Sequence, residues 1–413
     1  MNVGMLIAGR VIGGIGNGIN TSTTPVYHAE TSKTSLRGQA ILGELFVLNI
    51  GWTLAQFVTL AFSFTSGGIQ WRFPTAVQIL YLLPVFFLLP FFPDSPRWLA
   101  SKGHLQKAEE VLSRVLDEDQ LSPTFQVQFQ ELQRVVELEI ESSRVRTSNL
   151  LKDEGQNMYR FLIACSAQLL GQLSGVNVIA YYIVILFVQQ LHLEPTLARV
   201  LAACCGFVLL SSNLASQQVI EKWGRRKLLI LGGCGQAICF LISSISLATG
   251  GNSKWGGITV VAMIYLYCFV FAFAWQSIPY LYPAEIISLK YRARLFPIAN
   301  GANWAVNYAI VLITPVGLAN IGWKFYIIFM VFNIIAALVA WFFYVETARK
   351  SLEEVDLMFV GDNEVKRADL PPYLRLKSSR GLAQNALDNE KQLSNCNDIT
   401  KATFEHKAVV NDM

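Results

Sequence analysis

The residues of this chain best suited to chemistry are carboxamides set inside long apolar stretches. Between 160 and 188 lie Gln168 and Gln172 one helical turn apart, then the helix-loosening pair Ser174-Gly175, then Asn177, with Tyr181 one turn beyond. Asn303 and Asn307 repeat the one-turn spacing in another apolar stretch, beside Trp304. A carboxamide carries donors and an acceptor together, which matches vicinal hydroxyls, and an indole face suits the apolar face of a ring. Such groups are costly in hydrocarbon and usually face a cavity or a neighbouring helix, and loosened backbone is tolerated where it lines a cavity. The plainer reading is interhelical hydrogen bonding, at under about 1 kcal/mol for each residue. His28, His104, His192 and His406 form no metal or catalytic cluster and no nucleotide-binding glycine loop is visible, so neither an enzyme nor a cofactor is expected.

A second set of residues is charged and recurs. "PVYHAETSKTSLRG" holds Glu30 and Arg37, and "YPAEIISLKYRARL" holds Glu285 and Arg292 at the same spacing. Each joins two apolar segments long enough to cross a bilayer, which implies two related halves. Arg225, Arg226, Arg97 and Glu346 also fall at inner helix ends, where charge is wet and can pair across the halves. An isolated exposed pair contributes only about 0.2–1 kcal/mol, but a network that re-forms in one state biases a two-state equilibrium. An inner gate is the expectation; the alternative is that these charges only hold orientation.

The elements that position both sets follow from composition. Apolar residues make up 53% of the chain and charged residues 15%, against roughly 25% charged in soluble domains. An all-α polytopic membrane protein follows. A span needs about 20 mainly apolar residues, and nine are placed near 3–22, 40–64, 73–92, 160–188, 198–218, 228–249, 258–282, 296–317 and 323–344. Glu44 and Arg10 are the exceptions in spans otherwise almost free of charge. The loops with Lys33 and Arg37, with Arg225, Arg226 and Lys227, and with Lys290, Arg292 and Arg294 are the basic set. By the positive-inside rule they are cytoplasmic.

Four parts result: 1–92 with three spans, a cytoplasmic loop at 93–159, a six-span half at 160–344, and a mostly disordered cytoplasmic tail at 345–413. The unequal halves suggest a chain that begins part-way through its own repeat. In the loop, Leu105, Ala108, Val111, Leu112 and Val115 fall at helical spacing, and Phe125 to Ile140 repeats the pattern. Amphipathic helices are expected there. The first apolar stretch has no cationic leader and is not read as a signal peptide. Six of the seven cysteines fall in or beside spans and Cys396 in the tail, so no disulfide framework is expected. The net charge of +4 follows from the basic loops and needs no nucleic-acid partner. The glycines of "GRVIGGIGNG" permit close helix packing.

Six motifs in order, "AGRVIGGIGNG…PVYHAETS…LRG", "PDSPRWLASKGHLQKAEEVL", "GQLSGVNVIAYY", "EKWGRRKLLILGG", "YPAEIISLKYRARL" and "ETARKSLEEVD", resemble the sugar porter family of the major facilitator superfamily, above all its fungal members. The resemblance implies the major facilitator fold, with family helices 4–12 of twelve present. It implies a secondary transporter of a sugar or polyol working by alternating access in the plasma membrane, with proton coupling an open option. It maps Gln172, Asn177, Asn303, Trp304 and Asn307 onto sugar-contacting positions, and the charged residues above onto the inner gate.

Departures bear on specificity. The family's paired Gln-Gln is Gly171-Gln172 here, Tyr280 replaces the usual Trp, and Glu44-Leu45 stands where a sugar-binding Gln is placed. The asparagine typical of span 198–218 is replaced by Leu209, with Asn213 one turn further in. Hexose specificity is therefore not carried over. Glu44 and Arg10 are the candidates for proton coupling, and the resemblance pairs Arg10 with an acid on a helix outside this sequence. Residues 1–413 alone are therefore not expected to transport. A non-transporting nutrient sensor and an inactive truncated fragment are the alternatives.

Overall fold

The computed structural model describes residues 3–31, 37–143, 156–250 and 253–348, together with 350, 355, 358 and 359. Cys396, His406 and almost all of the expected tail lie outside these residues, as do the side chains of Arg37 and Lys290. Fourteen α-helices are described: α1 (Val3–Thr31), α2 (Arg37–Phe62), α3 (Ile69–Leu88), α4 (Pro96–Ser101), α5 (Leu105–Leu116), α6 (Pro123–Ser143), α7 (Asn157–Leu173), α8 (Val176–Ile185), α9 (Pro195–Trp223), α10 (Arg225–Gly250), α11 (Lys254–Val270), α12 (Ile278–Ile286), α13 (Leu289–Ile321) and α14 (Lys324–Phe343). No strand occurs among the described residues. All fourteen helices lie in one compact unit, and the second, Glu154–Gln156 with Lys350–Met413, holds few described residues.

Eight helical segments are long and apolar enough to span a bilayer, against the nine expected from sequence. The ninth, α1, is a continuous helix, but its glycines, Arg10, Asn17 and Asn20 dilute its apolar character. A Cβ added at Gly9, Gly13, Gly14, Gly16 or Gly18 would meet nothing within 4 Å, so the close packing expected of this glycine-rich face has no partner among the described residues. Arg10 is exposed on the same helix. The outward faces of the other spans carry residues such as Leu82, Phe86, Leu338 and Phe342, as helices facing hydrocarbon should.

Two spans are interrupted, and both interruptions sit where polar side chains gather. Between α7 and α8, Gly175 adopts a left-handed conformation with φ of 96°. The carbonyl of Ser174, released from the helix ladder, accepts from Asn333 Nδ2 at 2.8 Å and from the Tyr267 hydroxyl at 3.1 Å. Loosening at Ser174-Gly175 was legible in the sequence. The second interruption was not: after α11 the chain passes through a π-helical turn at Phe271–Trp275 before α12 resumes. There Gln276 N donates to Phe271 O at 2.9 Å, and Pro279 has no N–H to offer the Trp275 carbonyl.

Gly175 gives the first testable consequence. A Cβ there would lie 2.8 Å from Phe240 and 3.0 Å from Phe329, in a backbone conformation that L-residues avoid. Gly175→Ala is expected to destabilise the protein by about 2–5 kcal/mol, combining left-handed strain with overpacking. An unchanged thermal midpoint of the detergent-solubilised variant would show that the break tolerates a side chain.

The segment between α3 and α7 folds on itself. Ala108 of α5 and Phe125 of α6 are fully enclosed, the Phe125 and Phe129 rings stack at a centroid distance of 6.0 Å, and Leu99 and Ala100 of α4 complete the cluster. These are the amphipathic helices expected at 104–116 and 125–140.

Candidate functional site

The carboxamides are brought together by the break between α7 and α8. Asn177, at the start of α8, donates from Nδ2 to Gln172 Oε1 near the end of α7 at 2.6 Å. Asn307 of α13 donates from Nδ2 to the same Gln172 oxygen at 3.2 Å and to Asn177 Oδ1 at 3.0 Å. The amide of Gln172 keeps both of its own N–H groups for other partners. The triad lines a cavity of about 250 Å3 together with Tyr181, Tyr280, Asn303 and Trp304. That is smaller than the roughly 300–1,000 Å3 of pockets for drug-sized ligands and suits a small molecule.

Asn303 differs from the triad in being held in reserve. Its side chain is buried and Nδ2 has no partner, an unusual state for a buried donor unless a ligand supplies the acceptor. Tyr280 stands with it on the cavity wall. Trp304 is part-exposed to the cavity, its ring available for an apolar face.

Other residues fall elsewhere. Gln168 is fully buried with neither amide atom partnered, and it does not line the cavity. Of the two glutamines expected to face a ligand, only Gln172 lines this cavity. Glu44 is also absent from the cavity wall, which its neighbour Leu45 helps to form, and one carboxylate oxygen of Glu44 is buried without a partner. Leu209 lines the cavity, whereas Asn213 is buried and accepts from Gln217 at 3.3 Å. The Gly171 departure has a local cause, since a Cβ there would sit 3.2 Å from Pro279.

Sequence reasoning missed two polar wall residues. Asn49 of α2 and Gln276, which follows the π-helical turn, exchange hydrogen bonds: Asn49 Nδ2 to Gln276 Oε1 at 3.2 Å, and Gln276 Nε2 to Asn49 Oδ1 at 2.7 Å. Both line the cavity, as do Trp52 and Trp275. The available signal was Asn49, with Gln56 two turns on, in one apolar run and a lone Gln276 in another, with no spacing to couple the two runs.

The charged residues gather in two clusters among the described residues. In the first half, Arg97 lies 4.0 Å from Glu30, and Ser95 donates to the same carboxylate while capping α4. In the second half, Arg225 grips Glu221 with both terminal nitrogens at 2.7 and 2.9 Å and reaches Glu285 at 3.0 Å. Thr347 donates to the other oxygen of Glu285 at 2.6 Å. Glu346 accepts from the backbone N–H groups of Arg225 and Arg226 at 2.9 and 3.1 Å, placing a carboxylate on the positive end of α10. Gly224 makes room for it: φ is 87°, and a Cβ at this position would collide with the Glu346 carboxylate. Arg226 donates to the Ala340 and Trp341 carbonyls. Within the charged set, the ion pair of Glu285 is with Arg225, and Arg292 donates to the Ile287 carbonyl at 3.0 Å.

Comparison with known proteins agrees with this architecture. The model of the family "Sugar (and other) transporter" matches residues 1–359. The MFS-type transporter oryC of Aspergillus oryzae is 35% identical over 361 residues, covering 86% of this chain and 67% of the relative. The sugar transporter STL1 of Saccharomyces cerevisiae is 34% identical over 360 residues, covering 86% of this chain and 62% of the relative. The chain thus spans about two thirds of the length of these relatives. Among solved structures, the proton:xylose symporter XylE bound to 6-bromo-6-deoxy-D-glucose superposes with a TM-score of 0.71 at 25% identity, covering 85% of this chain and 73% of that one. The inward-open form of XylE from E. coli also matches, with a TM-score of 0.66 at 24% identity over 84% of this chain and 72% of that one. On the ordered motifs, the twice-broken helical bundle and a family match over nearly its whole described length, this chain belongs to the sugar transporter family of the major facilitator superfamily.

Proposed function

We propose that the protein is a secondary transporter that carries a sugar or polyol across a membrane by alternating access. The observation that carries this reading is the Gln172–Asn177–Asn307 amide triad facing a small cavity beside the unpartnered Asn303 Nδ2 and the Trp304 ring. Those groups offer several neutral donors and acceptors and one aromatic face, the chemistry of polyhydroxylated ligands. Neutral groups also leave the bound ligand free to go, because no single contact is strong. The names of its relatives support the same class: one is a sugar transporter, another a proton:xylose symporter.

The basic loops place the charged clusters on the cytoplasmic side by the positive-inside rule, and the plasma membrane is the membrane proposed. Within each half the clusters tie neighbouring helix ends together, Glu30 with Arg97 and Glu285 with Arg225. Their gate role would be to meet across the halves when the cavity opens outward. Coupling to protons is proposed through Glu44, whose buried oxygen without a partner is a place to hold one.

Binding tests the reading directly. Trp52, Trp275 and Trp304 line the cavity, so saturable, competable quenching of tryptophan fluorescence by hexoses, pentoses or polyols is the expected result. Failure of every polyhydroxylated compound to perturb the fluorescence would overturn it.

A further inference from the structure

Asn49 and Gln276 are 227 residues apart, one on α2 in the first half and the other beyond the π-helical turn of the second, and they face each other across the cavity wall. Asn49 is buried and Gln276 half-buried. We propose that this pair is an amide clasp between the halves, closed when the cavity is empty and displaced by ligand hydroxyls when it fills, so that it sets which polyhydroxylated ligands are accepted.

The geometry favours a clasp that opens. Two carboxamides paired face to face satisfy one N–H and one lone pair on each, and a vicinal diol presents the same donor-beside-acceptor pattern to either of them. A ligand diol can therefore take over from one amide without leaving the other unsatisfied. Neutral interhelical hydrogen bonds in membrane proteins are weak, so the closed form is favoured by only about tenfold and a millimolar ligand can compete. The position of Gln276 makes the displacement consequential. Its backbone N–H is committed to the π-helical turn at Phe271, and α12 begins two residues later with Ile278, so a shift of this side chain is coupled to the least regular stretch of the span. On the other side, Thr53 donates to the Asn49 carbonyl at 2.8 Å and lies close to Gly206 of α9, so α2 already rests on the second half at this depth.

The inference rests on the transport reading, because it needs a polyhydroxylated ligand in the cavity. The experiment uses the full chain in detergent micelles and lipid vesicles, with D-xylitol, D-xylose and D-glucose as probes and tryptophan quenching as the binding readout. Asn49→Leu and Gln276→Leu are each expected to weaken binding of the preferred probe about tenfold or more, and the double variant no further than the worse single one. The exchanged pair, Asn49→Gln with Gln276→Asn, should bind within about threefold of the parent but with an altered order of preference among the three probes. Without ligand, the two leucine substitutions should show non-additive shifts in thermal midpoint, and saturating ligand should abolish that coupling. Single leucine variants that bind as the parent does, or losses that multiply in the double variant, would overturn the clasp while leaving the transport reading intact. A parent that binds none of the probes overturns both, and persistence of the coupling under saturating ligand shows a fixed structural fastener and refutes displacement.

Discussion

Gln172→Leu is expected to weaken ligand binding by about 30- to 1,000-fold and to lower the thermal midpoint as well. The Gln172 oxygen accepts from both Asn177 and Asn307. A leucine in its place strands the Asn177 donor, which lowers stability, while Asn307 still reaches Asn177 Oδ1; it also removes the amide that would meet the ligand, and two ligand hydrogen bonds left unmade at about 1–2 kcal/mol each account for the loss of affinity. Asn303→Leu should behave differently. Its buried Nδ2 has no partner to lose, so the empty protein is expected to be as stable as the parent or more so, while ligand affinity falls about five- to fifty-fold. Thermal unfolding with and without ligand, beside tryptophan quenching, separates the two. Equal loss of stability in both variants would mean that Asn303 is a packing residue and that the ligand sits elsewhere.

Arg225→Ala is expected to destabilise the protein by about 3–5 kcal/mol, a large share of a typical total of about 5–15 kcal/mol. Its side chain is only 5% exposed and that of Glu285 17%, so truncation strands a largely buried carboxylate. Arg225→Met combined with Glu285→Met should recover most of the loss, because hydrophobic replacement of both partners removes the uncompensated charge. Expression level and thermal midpoint read the result. If the double variant is no better than the single one, the cost lies in the Glu221 contacts or in the seat of Glu346 on α10, and the Glu285 pair contributes little.

The pair has a further meaning for the transport cycle. Arg225 heads α10 and Glu285 closes α12, both in the six-span half, so their contact ties two helix ends of that half together. Matched spacing in the sequence suggested Glu285 with Arg292, but spacing along a chain does not say which neighbour a guanidinium reaches. Helix α12 ends at Ile286 and the backbone turns before Leu289, which brings the Arg292 side chain back to the Ile287 carbonyl.

Much of this molecule is determined by the order of its residues alone. Span number and position follow from run length and composition, because an unsatisfied backbone is too costly in lipid for anything but helix. The break at Ser174-Gly175, the amphipathic helices of the long loop and the family motifs are local in the same sense. Even there α1 is a borderline span, since its glycines, Arg10, Asn17 and Asn20 dilute its apolar character. The tertiary structure decided which polar groups meet. Gln168 and Gln172 share a helix face, yet one is sealed in packing and the other lies on the cavity. Asn49 and Gln276, in runs that show no common pattern, form the one reciprocal amide pair seen between the halves among the described residues. A helical period fixes the direction of a side chain from its own axis; what waits there depends on a second helix placed by packing, and packing is a property of the whole bundle.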